Sequence, residues 1–190
     1  KMLKTYKYRI YPTKEQKILL AKHFGCVRYI YNYGLAEKTK AYQNKQKLSC
    51  FDISNQLKDL KKKEETKWLS EINAQSLQMS LRNLDNAYTR FFREKKGFPK
   101  FKSKKDNKQS FQCPQRCSID FKLGKLFIPK FLEGIKTVFD RQFKGEIRTI
   151  TISKTASEKY FASILVEDNK KLKKLQKINK KKTVGIDTGL

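Results

Sequence analysis

The sequence has a single histidine, four prolines, eight glycines and four cysteines among 190 residues. One histidine excludes a histidine-built metal centre within this chain. Four cysteines are too few for a disulfide scaffold, and only Cys113 and Cys117 stand close together, three residues apart. Zinc would need two further ligands, and His23 lies far off in a helix-like stretch with Cys26. Reduced thiols are therefore the expectation. No apolar run approaches the ~20 residues of a membrane span, and no signal-peptide pattern opens the chain. Acids are scarce too: 18 Asp and Glu stand against 45 Lys and Arg, a formal charge of +27.

Charge of that density opposes compaction by self-repulsion unless a polyanion neutralises it. Nucleic acid suits better than a membrane surface, because the cations are interleaved with rings along the chain. Thirteen Phe and nine Tyr exclude a lysine-rich disordered tail, and 38% hydrophobic residues suffice for one sizeable domain or two small ones. Rings beyond those the core needs can stack on bases or sugars.

Residues 3–11 alternate, with Thr5, Lys7 and Arg9 opposite Tyr6, Tyr8 and Ile10, which predicts a strand. Pro12 ends it, and Thr13 with Gln16 forms a capping box for a helix carrying Leu20, Phe24, Val27, Tyr31 and Leu35 on one face. Gly25 interrupts that stripe; close approach of another backbone or of a phosphate would explain it, as would a kink. A second helix is predicted over 51–63, followed by a loop closed by Trp68-Leu69-Ser70. A third follows Leu77, Leu81, Leu84, Tyr88 and Phe91, with Gly97 as its stop. Arg82, Arg90 and Arg93 lie off its stripe, free for solvent or phosphate.

Beyond Gly97 the character changes. Residues 97–105 form a basic loop in which Lys100, Lys102, Lys104 and Lys105 are expected to face phosphate, while Phe98 and Phe101 either stack on a nucleotide or plug the fold. Short strands are predicted near 118–121, 125–128, 135–138, 146–153 and 160–166, punctuated by Gly124, Gly134 and Gly145. A lysine-rich linker over 168–182 leads to Val184-Gly185-Ile186-Asp187-Thr188-Gly189-Leu190, a short apolar strand bearing one carboxylate. The opening strand has no early partner, so the helices are expected to interrupt a small β-barrel.

These residues resemble the N-terminal half of TnpB-type proteins, the transposon-encoded OrfB group related to type V CRISPR effectors. The likeness runs through Tyr8-Arg9-Ile10-Tyr11-Pro12-Thr13, Gly25-Cys26-Val27-Arg28-Tyr29-Ile30-Tyr31-Asn32, Trp68-Leu69, Phe91-Phe92, Gly97-Phe98-Pro99-Lys100-Phe101-Lys102 and Leu126-Phe127-Ile128-Pro129-Lys130, in order. The closing segment is similar to a first RuvC nuclease motif. The resemblance implies an α+β fold. A wedge-like β-barrel (1–12 and 98–167) would be interrupted by a three-helix, helix-turn-helix-like recognition domain (13–97). The linker (168–182) would then lead to the first strand (183–190) of a RuvC/RNase H-like domain.

It also implies an RNA-guided DNA endonuclease whose partners are a guide RNA from the transposon end and a target duplex DNA with a short flanking motif, in a prokaryotic, nucleoid-associated, cytoplasmic setting. Gln78 matches a family Gln facing that motif, and Gln suits adenine. Ala74 stands where relatives carry Lys. Arg28, Arg82 and Lys130 join the expected nucleic-acid contacts. Asp187 matches the first catalytic acid, a Mg²⁺ ligand; alone it would hold metal poorly, so this chain is expected to bind and not to cut. A binding-only regulator, such as a nuclease-dead repressor, is the alternative, and a general RNA-binding protein a more distant one.

Overall fold

The computed structural model describes residues 2–168. Strand β1 (Met2–Tyr11) is followed by helices α1 (Lys14–Gln43) and α2 (Cys50–Leu60), a 3₁₀ helix (Glu64–Glu71) and α3 (Ala74–Glu94). Six strands complete the order: β2 (Lys108–Cys113), β3 (Ser118–Asp120), β4 (Lys125–Ile128), β5 (Phe131–Val138), β6 (Glu146–Thr155) and β7 (Tyr160–Asp168). The linker, Asp187 and the expected RuvC strand lie outside the described residues.

The α1 capping box is present, with the Gln16 N–H bonded to Thr13 and the Gln16 side chain accepting from the Thr13 N–H at 3.1 Å. The same Gln16 donates to Gly134 O at 2.9 Å, so one side chain starts the helix and ties it to the sheet. Every member of the predicted α1 stripe is buried, as are Leu77, Leu81 and Leu84 of α3. The end of α3 differs from expectation. Exposed Lys95, not Gly97, takes the left-handed conformation (φ 51), because its N–H bonds Arg90 O and offsets the small steric cost. The loop predicted around Trp68 is a 3₁₀ helix pinned by Trp68 Nε1 donating to Glu65 O at 2.8 Å.

The seven strands form one antiparallel sheet in the order β2-β6-β7-β1-β5-β4-β3. The first strand thus sits at its centre, between β7 and β5. The sheet is open among the described residues, where a closed barrel was expected. β3 has only three residues, and β2 pairs with β6 alone. β2 escaped the sequence reading because Gln109, Ser110 and Gln112 dilute its pattern; only Phe111 and Cys113 are buried. Gly134 does not separate strands. It lies inside β5 at φ +70, with the Phe127 ring 2.8 Å from where a Cβ would stand. The β4–β5 turn is made instead by Pro129 and Lys130 (φ 75), as a type II turn requires.

One hydrophobic core runs through helices and sheet. His23 and Phe24 of α1 pack on Phe111 of β2 at 4.8 and 5.4 Å, and His23 also meets Phe131 of β5. A smaller aromatic cluster of Tyr6, Tyr8, Phe121, Phe139 and Phe143 joins β1 to the β5–β6 connection, where Tyr8 OH donates to Arg141 O at 2.9 Å.

Candidate nucleic-acid interface

The expected contact residues fall into separate places. Gln78 and Arg82 are exposed one turn apart on α3 and share a groove of about 500 Å³ with Gln75, Phe51, Ser54 and Gln115. The Asn73 side chain caps the helix beneath it, accepting from the Gln75 N–H at 3.3 Å. Gln75 Nε2 donates to Gln115 Oε1 at 2.7 Å, which crosses from α3 to the β2–β3 turn and leaves the buried Gln75 Oε1 without a hydrogen-bond partner. Side chains with paired donors and acceptors, next to a guanidinium, match the edges of bases in a groove. Gln75 was readable beside Gln78 and Arg82, since spacings of three and seven share a helix face. Gln115 was not, because a turn 40 residues away brings it there.

Arg28 lies elsewhere. It borders a groove of about 470 Å³ between α1 and the 3₁₀ helix, with Lys22, Gly25, Tyr29, Trp68 and Glu71. Lys22 and Glu71 form an ion pair. Asn32 lies one turn beyond Arg28 and bonds the basic loop. Its amide accepts from the Lys102 N–H at 2.8 Å and donates to Lys102 O at 2.9 Å, clamping the basic loop onto α1.

That clamp divides the loop lysines. The Lys102 ammonium sits 4.0 Å from the centre of the Tyr31 ring, and burial pushes its pKa down. Lys102 thus holds its ammonium over the Tyr31 ring while the residue as a whole stays exposed. Lys100 is exposed, and Lys104 and Lys105 border a shallow cleft with Gln109 and Lys154. Phe98 lies edge-on to Tyr88 and Phe91 of α3 at 5.6 and 5.3 Å yet stays 48% exposed, and Phe101 is 63% exposed. Lys130 is exposed on its turn, and burial, with the Lys130 charge adding to it, lowers the pKa of His23 and Lys61.

Two features escaped the sequence reading. On the open face of β1, Arg9 lies over the rings of Phe161 and Tyr11 at 5.0 and 5.5 Å, with Lys7 over Phe161 at 4.5 Å. Its Nη1 is buried and has no hydrogen-bond partner. Tyr42, Phe92 and Phe98 line an aromatic groove of about 630 Å³ flanked by Lys38 and Lys47. Among the described residues no three His, Cys, Asp or Glu side chains come together to hold a metal ion, and no helix is long and apolar enough to cross a membrane.

Fold and grooves define a strongly basic α+β protein whose surface offers amides, cations and rings to a partner. Comparison with known proteins sharpens that class. A helix-turn-helix domain model of the OrfB type matches residues 2–47, which hold β1, α1 and the turn after it. A protein named "Putative RNA-guided DNA endonuclease" from Streptomyces pristinaespiralis is 34% identical over 87% of this chain and 42% of its own length. InsQ of Escherichia coli K12, named in the same way, is 30% identical over 88% of this chain and 41% of its own length. Virulence protein VsdF of Salmonella dublin is 34% identical over 54% of this chain and 95% of its own length. The chain belongs to the transposon-associated TnpB/OrfB family and matches its N-terminal region. It spans about two fifths of the length of the first two relatives.

Proposed function

We propose that this chain is the nucleic-acid-binding region of a transposon-associated RNA-guided DNA endonuclease, holding guide RNA and target duplex together. The α3 groove carries this reading. Gln78 and Arg82 stand side by side on an exposed helix, with Gln75 and Gln115 tied beneath them, in a chain of formal charge +27. Charge supplies sequence-independent grip, and amides with a guanidinium supply discrimination at a short flanking motif. The open sheet with β1 at its centre serves as the wedge-like part, and Lys100, Lys104, Lys105 and Lys130 as phosphate contacts. In the whole protein Asp187 would be the first of the acids that hold Mg²⁺ for strand cleavage. The family match supports the reading through relatives whose names state RNA guidance and DNA cleavage.

The test is fluorescence anisotropy with structured RNA and with duplexes of varied flanking sequence, against polylysine of equal charge. Gln78→Ala is expected to reduce discrimination among flanking sequences by about tenfold while RNA affinity stays. An equal loss across all duplexes and RNA would remove the α3 groove from sequence reading, and affinity no better than polylysine would end the proposal.

A further inference from the structure

Helix α1 contains two glycines, and packing explains only one. At Gly34 a Cβ would stand 2.8 Å from Leu81 Cδ2 and 3.0 Å from Leu84 Cδ2, so α3 requires that position to be bare. At Gly25 a Cβ would meet only Arg28 Nη2, at 4.0 Å. Nor does the backbone need glycine there, since Gly25 is not among the residues of positive φ. Glycine is the least favourable helix-interior residue after proline. The chain thus carries a destabilising residue that no contact among the described residues demands.

Gly25 forms the floor of the groove between α1 and the 3₁₀ helix. The Lys22–Glu71 pair borders it, with Trp68 edge-on to Tyr29 at 5.1 Å as a ring wall. Arg28, half-exposed, makes no ion pair among the described residues. Mid-helix amides are already bonded, so a bare Cα supplies clearance, not hydrogen bonds. The arrangement suits a ligand that is slender, anionic and sugar-bearing.

We infer that this groove seats a phosphodiester segment of a nucleic-acid strand. The strand's backbone passes directly over Gly25, one phosphate lies on the Arg28 guanidinium, and a sugar lies against Tyr29 and Trp68. The inference rests on the nucleic-acid reading above and adds a site away from the α3 groove. Arg–phosphate pairing in such a cleft is charge-assisted and geometrically specific.

Thermal melts and anisotropy titrations on wild type, Gly25→Ala and Arg28→Gln, with structured RNA and with duplex DNA at modest salt, test it. Gly25→Ala is expected to raise Tm by about 2–4 °C, because alanine favours the helix. The same change should weaken binding of one of the two ligands roughly five- to tenfold. Which ligand weakens identifies the strand, and Arg28→Gln should weaken the same one. A Gly25→Ala protein that melts higher and binds both ligands like wild type overturns the site while leaving the nucleic-acid reading intact. A lower Tm would show that packing demands the glycine, and overturns it too. Wild type that binds neither ligand sinks both.

Discussion

His23 shows how burial sets the chemistry of one side chain. It is fully buried, its Nδ1–H donates to Leu19 O at 2.8 Å, and the Asn73 N–H donates to Nε2 at 3.5 Å. Both nitrogens are used by the neutral ring, so protonation would cost the Asn73 contact and bury a charge. Burial, with Lys130 adding to it, lowers the His23 pKa to about 4. The stability this confers is complete above the unfolded pKa near 6.5 and declines as pH falls from there towards 4. Between pH 7.5 and 5.0 that amounts to about 2 kcal/mol, or a Tm drop of roughly 4–8 °C, absent from His23→Gln. Melts at the two pH values decide it. At Gly34 the expected direction is opposite to that at Gly25. Leu81 and Leu84 are fully buried and cannot withdraw, so Gly34→Ala should cost about 1–2 kcal/mol despite better helix propensity, measurable by urea unfolding. Cys26 and Cys50, pushed up to about 11 by burial, should resist thiol reagents at pH 8 until the protein unfolds.

The basic loop is the element whose behaviour depends most on a partner element. Residues 95–107 contain no regular structure, yet Asn32 of α1 fixes the Lys102 main chain from both sides. Asn32→Ala should release it: hydrogen exchange at the Lys102 amide should speed up about tenfold or more, with a global loss of only about 1 kcal/mol. Unchanged exchange at Lys102 would mean the loop is held elsewhere. The elements themselves were readable where one face is buried. The α1 and α3 stripes and the alternation of β1 follow from the burial of one helix face and one strand face. What was not readable arose from weak local signals: the polar β2 strand, the 3₁₀ helix around Trp68, and an α3 terminus that uses lysine in place of glycine.

At the scale of the molecule, charge dominates. With +27 on one chain, added salt should act in opposite directions on two observables. Between 50 and 500 mM NaCl, Tm should rise as self-repulsion is screened. Over the same range, log K for RNA should fall by about 0.7–0.9 per phosphate contact against log salt. Binding insensitive to salt would show that the cations are not the grip.

Composition determined the strongly basic, ring-rich character, because net charge and aromatic content need no fold to be counted. Local periodicity determined the helices and most strands, since each pattern reports the burial of its own face. Ordered motifs such as Gly25-Cys26-Val27-Arg28 and the closing Val184–Leu190 pattern carried the family resemblance. Tertiary structure alone decided which side chains stand together: Gln115 beside Gln75, Asn32 on Lys102, and Lys102 turned onto Tyr31. It alone left the sheet open and separated the two glycines of α1 into one that packing requires and one it does not. These side-chain contacts join residues 40 or more positions apart, and no pattern local to either partner encodes the distance between them.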